Sequence, residues 1–226
     1  MVILQTPSFD VYSQMAIDEI IACDKTLEDK NFLRFFNWQD KKAITFGYAQ
    51  RSKSLKEQFD LGYQITRRPS GGGVVYHEGD LTFSIIFTST DKVEEIYKKL
   101  HTAIAGELKK YIKEVQNYDQ KNIFKPVENG QSKSCFANPV LDDLMVDGKK
   151  ILGGAIRRFG NRILYQGTLQ ITGARGREEY KTAIKHALEK YFQEETSFED
   201  ISSVLLAQIK DKAEHIYKNP AWINKY

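Results

Sequence analysis

Across 226 residues, 33 lysines and arginines stand against 30 aspartates and glutamates, a formal charge of +3. That balance is too even to argue for nucleic acid by bulk charge, while 41% hydrophobic and 28% charged residues exclude global disorder and supply a substantial core. No apolar run reaches the roughly 20 residues that span a bilayer, and two cysteines, Cys23 and Cys135, without CxxC or a paired His, exclude a disulfide framework and a zinc signature.

From Asp10, the spacing of Tyr12, Met15, Ala16 and Ile20 predicts a helix ending by Asp24 or Lys25. Cys23 on its apolar face reads as core. Phe32 to Trp38 and Ala43 to Phe46 read as strands joined by a turn, followed by a short helix at Ser54 to Phe59 and a strand ending at Thr66. Leu81 to Thr88 is again strand-like. Between Lys92 and Val115, Val93, Ile96, Tyr97, Leu100, Ile104, Leu108 and Ile112 form one apolar helical stripe. Gln116 to Ser134 reads as a loop, the best candidate for a mobile segment, with one short strand at Ile123-Phe124. Asp147-Gly148 and Gly160-Asn161, each between strand-like residues, predict two hairpins, and two amphipathic helices follow, Arg177 to Phe192 and Phe198 to Tyr217. Hairpins and helices in separate blocks point to an α+β fold, a single domain over 1–226 with a mixed, mostly antiparallel sheet flanked by helices.

The densest glycine cluster, Arg67-Arg68-Pro69-Ser70-Gly71-Gly72-Gly73-Val74-Val75-Tyr76-His77, offers backbone N–H groups that a ligand can approach and two guanidinium groups for a carboxylate, carbonyl or phosphate. On the residues alone it fits a plain flexible turn equally well. It is not a Walker loop, since no Gly-Lys-Ser/Thr follows, and not a dinucleotide fingerprint, since strand rather than helix comes next.

The stretch resembles the signature of the lipoate-protein ligase A family, which shares its catalytic fold with biotin-protein ligases and octanoyltransferases. The resemblance extends across most of the chain in the expected order. Met15-Ala16-x-Asp18-Glu19, Arg34-Phe35-x-x-Trp38 and Phe46-Gly47-Tyr48-x-Gln50 lie upstream, and Val146-Asp147-Gly148-Lys149-Lys150-Ile151-Leu152-Gly153-Gly154-Ala155 and Gln166-Gly167-Thr168-Leu169 lie downstream. The resemblance implies that Lys150 is the active-site lysine, because only it stands before an aliphatic, an apolar residue and Gly; Lys149, turned to the opposite face, is its solvated neighbour. It also implies a substrate-binding set of Arg67, Arg68, Ser70, Gly71, Gly72, Gly73, Val75, Tyr76, His77, Gly153, Gly154 and Ala155. In that set Arg67, Arg68 and His77 fix the acyl head, and Val74, Val75, Tyr76 and aromatics from Phe32 to Trp38 line an apolar cleft.

Two chemistries run on such a fold. Ligases activate lipoate with ATP and Mg²⁺, whereas transferases take octanoate from acyl carrier protein through a cysteine thioester and need no cofactor or metal. Either acylates a lysine of a lipoyl domain of a 2-oxoacid dehydrogenase or of the glycine cleavage H protein. Ser134-Cys135-Phe136-x-x-Pro139 resembles the cysteine segment of bacterial octanoyltransferases, and His77-Glu78-Gly79-Asp80-Leu81-Thr82-Phe83-Ser84 is similar to the transferase form, with Asp80 where ligases commonly carry asparagine. The chain also stops at Tyr226, short of a ligase's accessory domain. The unbroken Gly71-Gly72-Gly73 followed by Val-Val-Tyr-His is closer to the ligases. The leading expectation is therefore an octanoyltransferase with Cys135 as nucleophile, which the residue alone would place as a small buried hydrophobe. The alternatives are an ATP-dependent ligase or a non-catalytic binding subunit. The glycine loop differs from the Gly-Arg-Gly-rich form of biotin ligases. Lys109-Lys110 and Arg157-Arg158 read as solvated faces, so no nucleic-acid or membrane partner is expected, and with no secretory succession in Met1-Val2-Ile3-Leu4-Gln5 the expected location is the cytoplasm.

Overall fold

The computed structural model describes residues 1–119, 136 and 138–226. In chain order its strands are β1 (Val2–Gln5), β2 (Phe32–Phe35), β3 (Ala43–Phe46), β4 (Gln64–Arg67), β5 (Val75–His77), β6 (Leu81–Thr88), β7 (Gln116–Asn117), β8 (Leu144–Val146), β9 (Lys149–Phe159), β10 (Arg162–Leu169) and β11 (Ser197–Asp200). Its helices are α1 (Val11–Cys23), α2 (Lys56–Asp60), α3 (Val93–Leu108), α4 (Glu178–Phe192), α5 (Ser203–Lys212) and α6 (Pro220–Ile223). The strands form an eight-stranded sheet in the order β11-β1-β2-β6-β10-β9-β8-β7 and a three-stranded sheet in the order β4-β3-β5. Pairing is antiparallel except where β1 meets β11 and β2 and where β3 meets β4. The architecture is α+β, with a mixed sheet flanked by helices.

Both faces of the large sheet are covered, so the central strands are apolar on both sides. Ile163, Tyr165 and Leu169 of β10 pack with Leu100, Ile104 and Ile184 of α3 and α4. Leu164 between them faces the other way, toward Ile17 and Ile21 of α1 and Ile209 of α5. A third cluster joins Ile44, Phe46, Ile65 and Val74 of the small sheet to Ile223 of α6. α1 starts where the Asp10 side chain accepts the Ser13 N–H at 2.8 Å, a side-chain N-cap. In the β8–β9 turn Asp147 and Gly148 both take positive φ (49° and 73°), as a two-residue I′ hairpin requires.

Four elements differ from expectation. β1 and β11 pair in parallel between residues almost 200 apart (Val2 with Ser197), so Phe198 belongs to a sheet edge. The last long helix therefore begins later, at Ser203, where the Ser202 hydroxyl accepts the Leu205 N–H at 3.1 Å. α3 ends at Leu108, yet Ile112 and Val115 still pack on the same core through turns, which is why the apolar stripe runs on past the helix. Cys23, at the last position of α1, is exposed rather than core. The proposed strand at Ile123-Phe124 and almost all of the proposed mobile loop lie outside the described residues.

Candidate active site

A cleft lies between the two sheets. The large sheet contributes Thr82, Gly153, Gly154, Ala155, Gln166, Gly167 and Thr168, the small sheet and its turn contribute Thr45, Arg68, Val75 and His77, and Met15, Phe36 and Phe136 complete the lining. Register explains the first group. Thr168 pairs with Thr82 on one side and Gly153 on the other, and two residues along Gln166 pairs with Ser84 and Ala155. Alternation therefore turns both rows to one face. The exposed lining is mostly apolar with a few polar groups, the usual make-up of a small-molecule cleft.

The glycine loop is folded around its own arginine. Arg68 donates from Nε and Nη2 to the Gly71 carbonyl (2.9 and 2.6 Å) and from Nη2 to the Gly73 carbonyl at 2.8 Å. Ser70, fully buried, donates from Oγ to Gln166 Oε1 at 2.6 Å, which ties the loop to the sheet below. Gln166 Nε2 in turn donates to Asp18 Oδ2 at 2.7 Å, and Asp18 also accepts from Ser84 at 2.7 Å and from Arg34 at 3.0 and 2.6 Å. Arg34 donates onward to the Gln14 side chain and carbonyl at 2.5 and 2.9 Å. Burial pushes the Arg34 pKa down and the Asp18 charge opposes it. A buried cation so placed is tolerated because carboxylate, amide and carbonyl satisfy its donors. Thus Asp18 and Arg34, two motif positions with no assigned role, brace the loop from beneath.

His77 is 3% exposed and held on three sides. Its Nδ1–H donates to Asp80 Oδ2 at 2.8 Å, since a carboxylate only accepts, its Nε2 lies 2.9 Å from Thr45 Oγ1, and its ring stacks on Trp38 at 4.6 Å. Asp80 also accepts from Thr82 (2.6 Å) and Thr168 (2.5 Å). Burial alone would raise the Asp80 pKa, but the charge and hydrogen bond of His77 and the two threonine hydroxyls hold it at about 2, below the ordinary 3.8. A depressed carboxylate contributes stability above its unfolded pKa and loses it as pH falls through the folded one. Asp80 is therefore expected to contribute about 2 kcal/mol that is present above about pH 4 and disappears toward pH 2. Urea unfolding of the wild type and Asp80→Asn at pH 6 and pH 2.5 checks this: the stability gap between them narrows on acidification, and a constant gap refutes the linkage.

Lys150 is 8% exposed, with its ammonium 2.8 Å from Asp143 Oδ2 and 4.9 Å above the Phe136 ring centroid. The side chain lies over Gly153, where an added Cβ would sit 2.3 Å from Lys150 Cε and 2.5 Å from Nζ. Glycine there makes room for the ammonium at the cleft's edge. Asp143, itself fully buried, also accepts the Val140 N–H at 2.6 Å. Cys135 lies outside the described residues; Phe136, the next residue in the sequence, lines the cleft.

Of the residues expected to hold substrate, Arg68, Val75, His77, Gly153, Gly154 and Ala155 line the cleft, while Ser70 to Gly73 form the loop at its border. Two do not face it. Arg67 is fully buried beneath the loop, where it donates to the carbonyls of Tyr48 (2.5 Å), Gln50 (2.7 Å), Trp222 (2.9 Å) and Ile223 (2.8 Å), so it clasps the C-terminal segment and holds no acyl head. Tyr76, between Val75 and His77 on β5, turns to the opposite face and meets Tyr63 edge-on at 5.8 Å. Val74 packs in the small-sheet core, and of the aromatics from Phe32 to Trp38 it is Phe36 that lines the cleft. Residues not singled out beforehand are Thr45, Thr82, Gln166, Thr168 and Asp143; Gln166 and Thr168 stood in one motif and Thr82 in another, whereas Asp143 carried no signal beyond its place just before the Lys150 segment.

The family model for the lipoyl protein ligase A/B catalytic domain matches residues 10–212. Octanoyltransferase LipM of Oceanobacillus iheyensis is 28% identical over 178 residues, 75% of this chain and 63% of that protein. Octanoyltransferase LipM of Carboxydothermus hydrogenoformans is 30% identical over 173 residues, 73% of this chain and 62% of that protein. The matches thus span a little less than two thirds of these relatives' length. Among solved structures, a T. acidophilum protein with bound lipoic acid superposes with a TM-score of 0.79 at 19% identity, covering 100% of this chain and 98% of the other. Lipoate-protein ligase A bound with ATP superposes with a TM-score of 0.76 at 20% identity, covering 98% and 96%. At these identities the likeness is one of fold.

Proposed function

Since this chain belongs to the lipoyl protein ligase A/B catalytic domain family, we propose that it serves protein lipoylation as an octanoyltransferase, moving octanoate from acyl carrier protein to a lysine of a lipoyl domain. The observation that carries this reading is the Lys150 ammonium, held by Asp143 over Gly153 and beside Phe136, which directly follows Cys135 in the sequence. The octanoyltransferase relatives support the choice of branch.

In the proposed first step the Cys135 thiolate attacks the octanoyl thioester, its carbon–sulfur bond forms as the carrier's carbon–sulfur bond breaks, and the carrier leaves as a thiolate that takes up the proton Cys135 released on ionising. In the second, the amine of the target lysine attacks the Cys135 thioester, the amide forms, and Cys135 departs and regains a proton. Each step passes through a tetrahedral oxyanion. Lys150 and the N–H groups of Gly71 to Gly73 stabilise that charge, the kind of fixed complementarity that contributes most to acyl transfer. The same cation lowers the pKa of a nearby thiol and keeps it nucleophilic. Acceptors are the lipoyl domains of 2-oxoacid dehydrogenases or the glycine cleavage H protein, the setting is the cytoplasm, and the transfer needs neither nucleotide nor metal.

Incubation with octanoyl-acyl carrier protein and an apo lipoyl domain, without ATP, tests the proposal by intact mass. Octanoylated lipoyl domain and a transient adduct on the enzyme are expected. Modification that instead requires lipoate, ATP and Mg²⁺ makes the chain a ligase, and ligand binding without turnover in either assay makes it a binding subunit.

A further inference from the structure

We infer that Tyr97 of α3 is a positioning residue for acyl transfer, its single hydroxyl locking both the carboxylate that holds Lys150 and the strand that floors the cleft. The inference rests on the octanoyltransferase reading for the reaction it serves, and on geometry for the rest. The Tyr97 hydroxyl donates to Asp143 Oδ1 at 2.5 Å and accepts the Gly154 N–H at 3.0 Å. Asp143 presents its other oxygen to the Lys150 ammonium at 2.8 Å and the Val140 N–H at 2.6 Å. A hydroxyl has one proton to donate and lone pairs to accept with, so the directions are fixed: Gly154 donates to Tyr97, Tyr97 donates to Asp143, and Lys150 donates to the other oxygen of Asp143.

The phenol is itself held still. Its ring stacks on His101 at 4.0 Å with a 30° interplanar angle, and His101 is fully buried. His101 Nδ1 lies 2.8 Å from the Asp142 carbonyl, which only accepts, so Nδ1 carries the proton and Nε2 accepts from the Tyr165 hydroxyl at 2.8 Å. Burial drives the His101 pKa down to about 3, so the imidazole stays neutral and this tautomer persists. Burial, followed by Tyr165 and Asp143, drives the Tyr97 pKa up, so its hydroxyl remains a donor. Neutral groups thus hold the charged pair in place, and none of Tyr97, His101 and Tyr165 is among the residues lining the cleft. Their effect passes through Lys150.

Tyr97→Phe keeps the ring and its stacking and removes the two hydrogen bonds. In the octanoyl-transfer assay, kcat is expected to fall about 10- to 100-fold with KM for both substrates unchanged, the response to a misplaced group near the reacting atoms. In a Lys150→Ala background the same change is expected to cost less than about twofold, because the residue through which it acts is gone. A second measurement needs no turnover. In ¹⁵N-lysine-labelled protein, the Lys150 ammonium signal, identified by its loss in Lys150→Ala, is expected to broaden in Tyr97→Phe while the other lysine signals stay near wild type, and the thermal midpoint falls by the few degrees that losing two buried hydrogen bonds implies. An unchanged Lys150 signal, an equal loss of kcat in the Lys150→Ala background, or a loss shared between kcat and KM overturns the inference. Wild-type protein that ligates lipoate with ATP but transfers no octanoate overturns the transferase reading alone, and the same mutant cycle is then run in the ligation assay.

Discussion

Lys150→Met is expected to slow octanoyl transfer by about 10²- to 10³-fold, the usual cost of removing one donor from an oxyanion site. Cys135→Ala is expected to abolish the enzyme adduct altogether, because no thioester forms without the thiol. The two variants thus separate charge stabilisation from nucleophilic attack. Lys150→Met also has a consequence that is not chemical. It leaves Asp143, fully buried, without its cation, and removing one member of a buried pair costs about 3–5 kcal/mol. Loss of rate in the single variant therefore mixes two effects, which Asp143→Asn together with Lys150→Met resolves. In the double variant the uncompensated charge is gone, so urea unfolding is expected to show recovered stability while transfer stays as slow as in Lys150→Met. Recovery of the rate along with stability would show that Lys150 is merely a structural partner of Asp143.

How much of this was legible beforehand follows from where each partner lies along the chain. The glycine loop, the two hairpin turns and the Lys150 segment are local patterns, and the structure brings Arg68, Val75 and His77 from around the first and Gly153 to Ala155 of the last to one cleft. Tyr76 was legible in principle, since alternation between Val75 and His77 already turns it away. Arg67 was not, because its acceptors at Trp222 and Ile223 lie more than 150 residues downstream and are backbone carbonyls, which leave no trace in side-chain identity. The same holds for β1 and β11, whose parallel pairing joins opposite ends of the chain. Asp143 and Tyr97 stand 46 residues apart, and Tyr97 sits in an apolar stripe where any aromatic would satisfy the periodicity. Its hydroxyl matters only because α3 lays it against β9. Polar networks under a site are set by tertiary contacts, and their members look in sequence like core residues or surface charges.

Gly47→Ala is expected to cost about 10²-fold in kcat/KM, the penalty of displacing a binding element by an ångström. An alanine Cβ at Gly47 would lie 1.9 Å from the Gly72 carbonyl oxygen, 2.9 Å from its carbon and 3.0 Å from the Gly71 carbonyl carbon. All three are backbone atoms, so no side chain can swing aside and the loop itself must shift. The loop has little freedom to do so cheaply. Ser70 is bound on one side to Gln166 at 2.6 Å and on the other accepts the Tyr48 N–H at 2.9 Å, and Arg68 clamps the carbonyls of Gly71 and Gly73. The clash therefore costs about 1–3 kcal/mol of stability as overpacking, together with the geometry of the glycine N–H groups. Gly71→Ala is the control within the same loop. A Cβ there meets nothing within 4 Å, so this variant is expected to keep its thermal midpoint and to retain transfer within about threefold. Steady-state kinetics and thermal unfolding of the two variants check the pair. If Gly47→Ala transfers octanoate as fast as Gly71→Ala, the position of the glycine loop does not govern catalysis, and oxyanion stabilisation then falls to Lys150 without the loop.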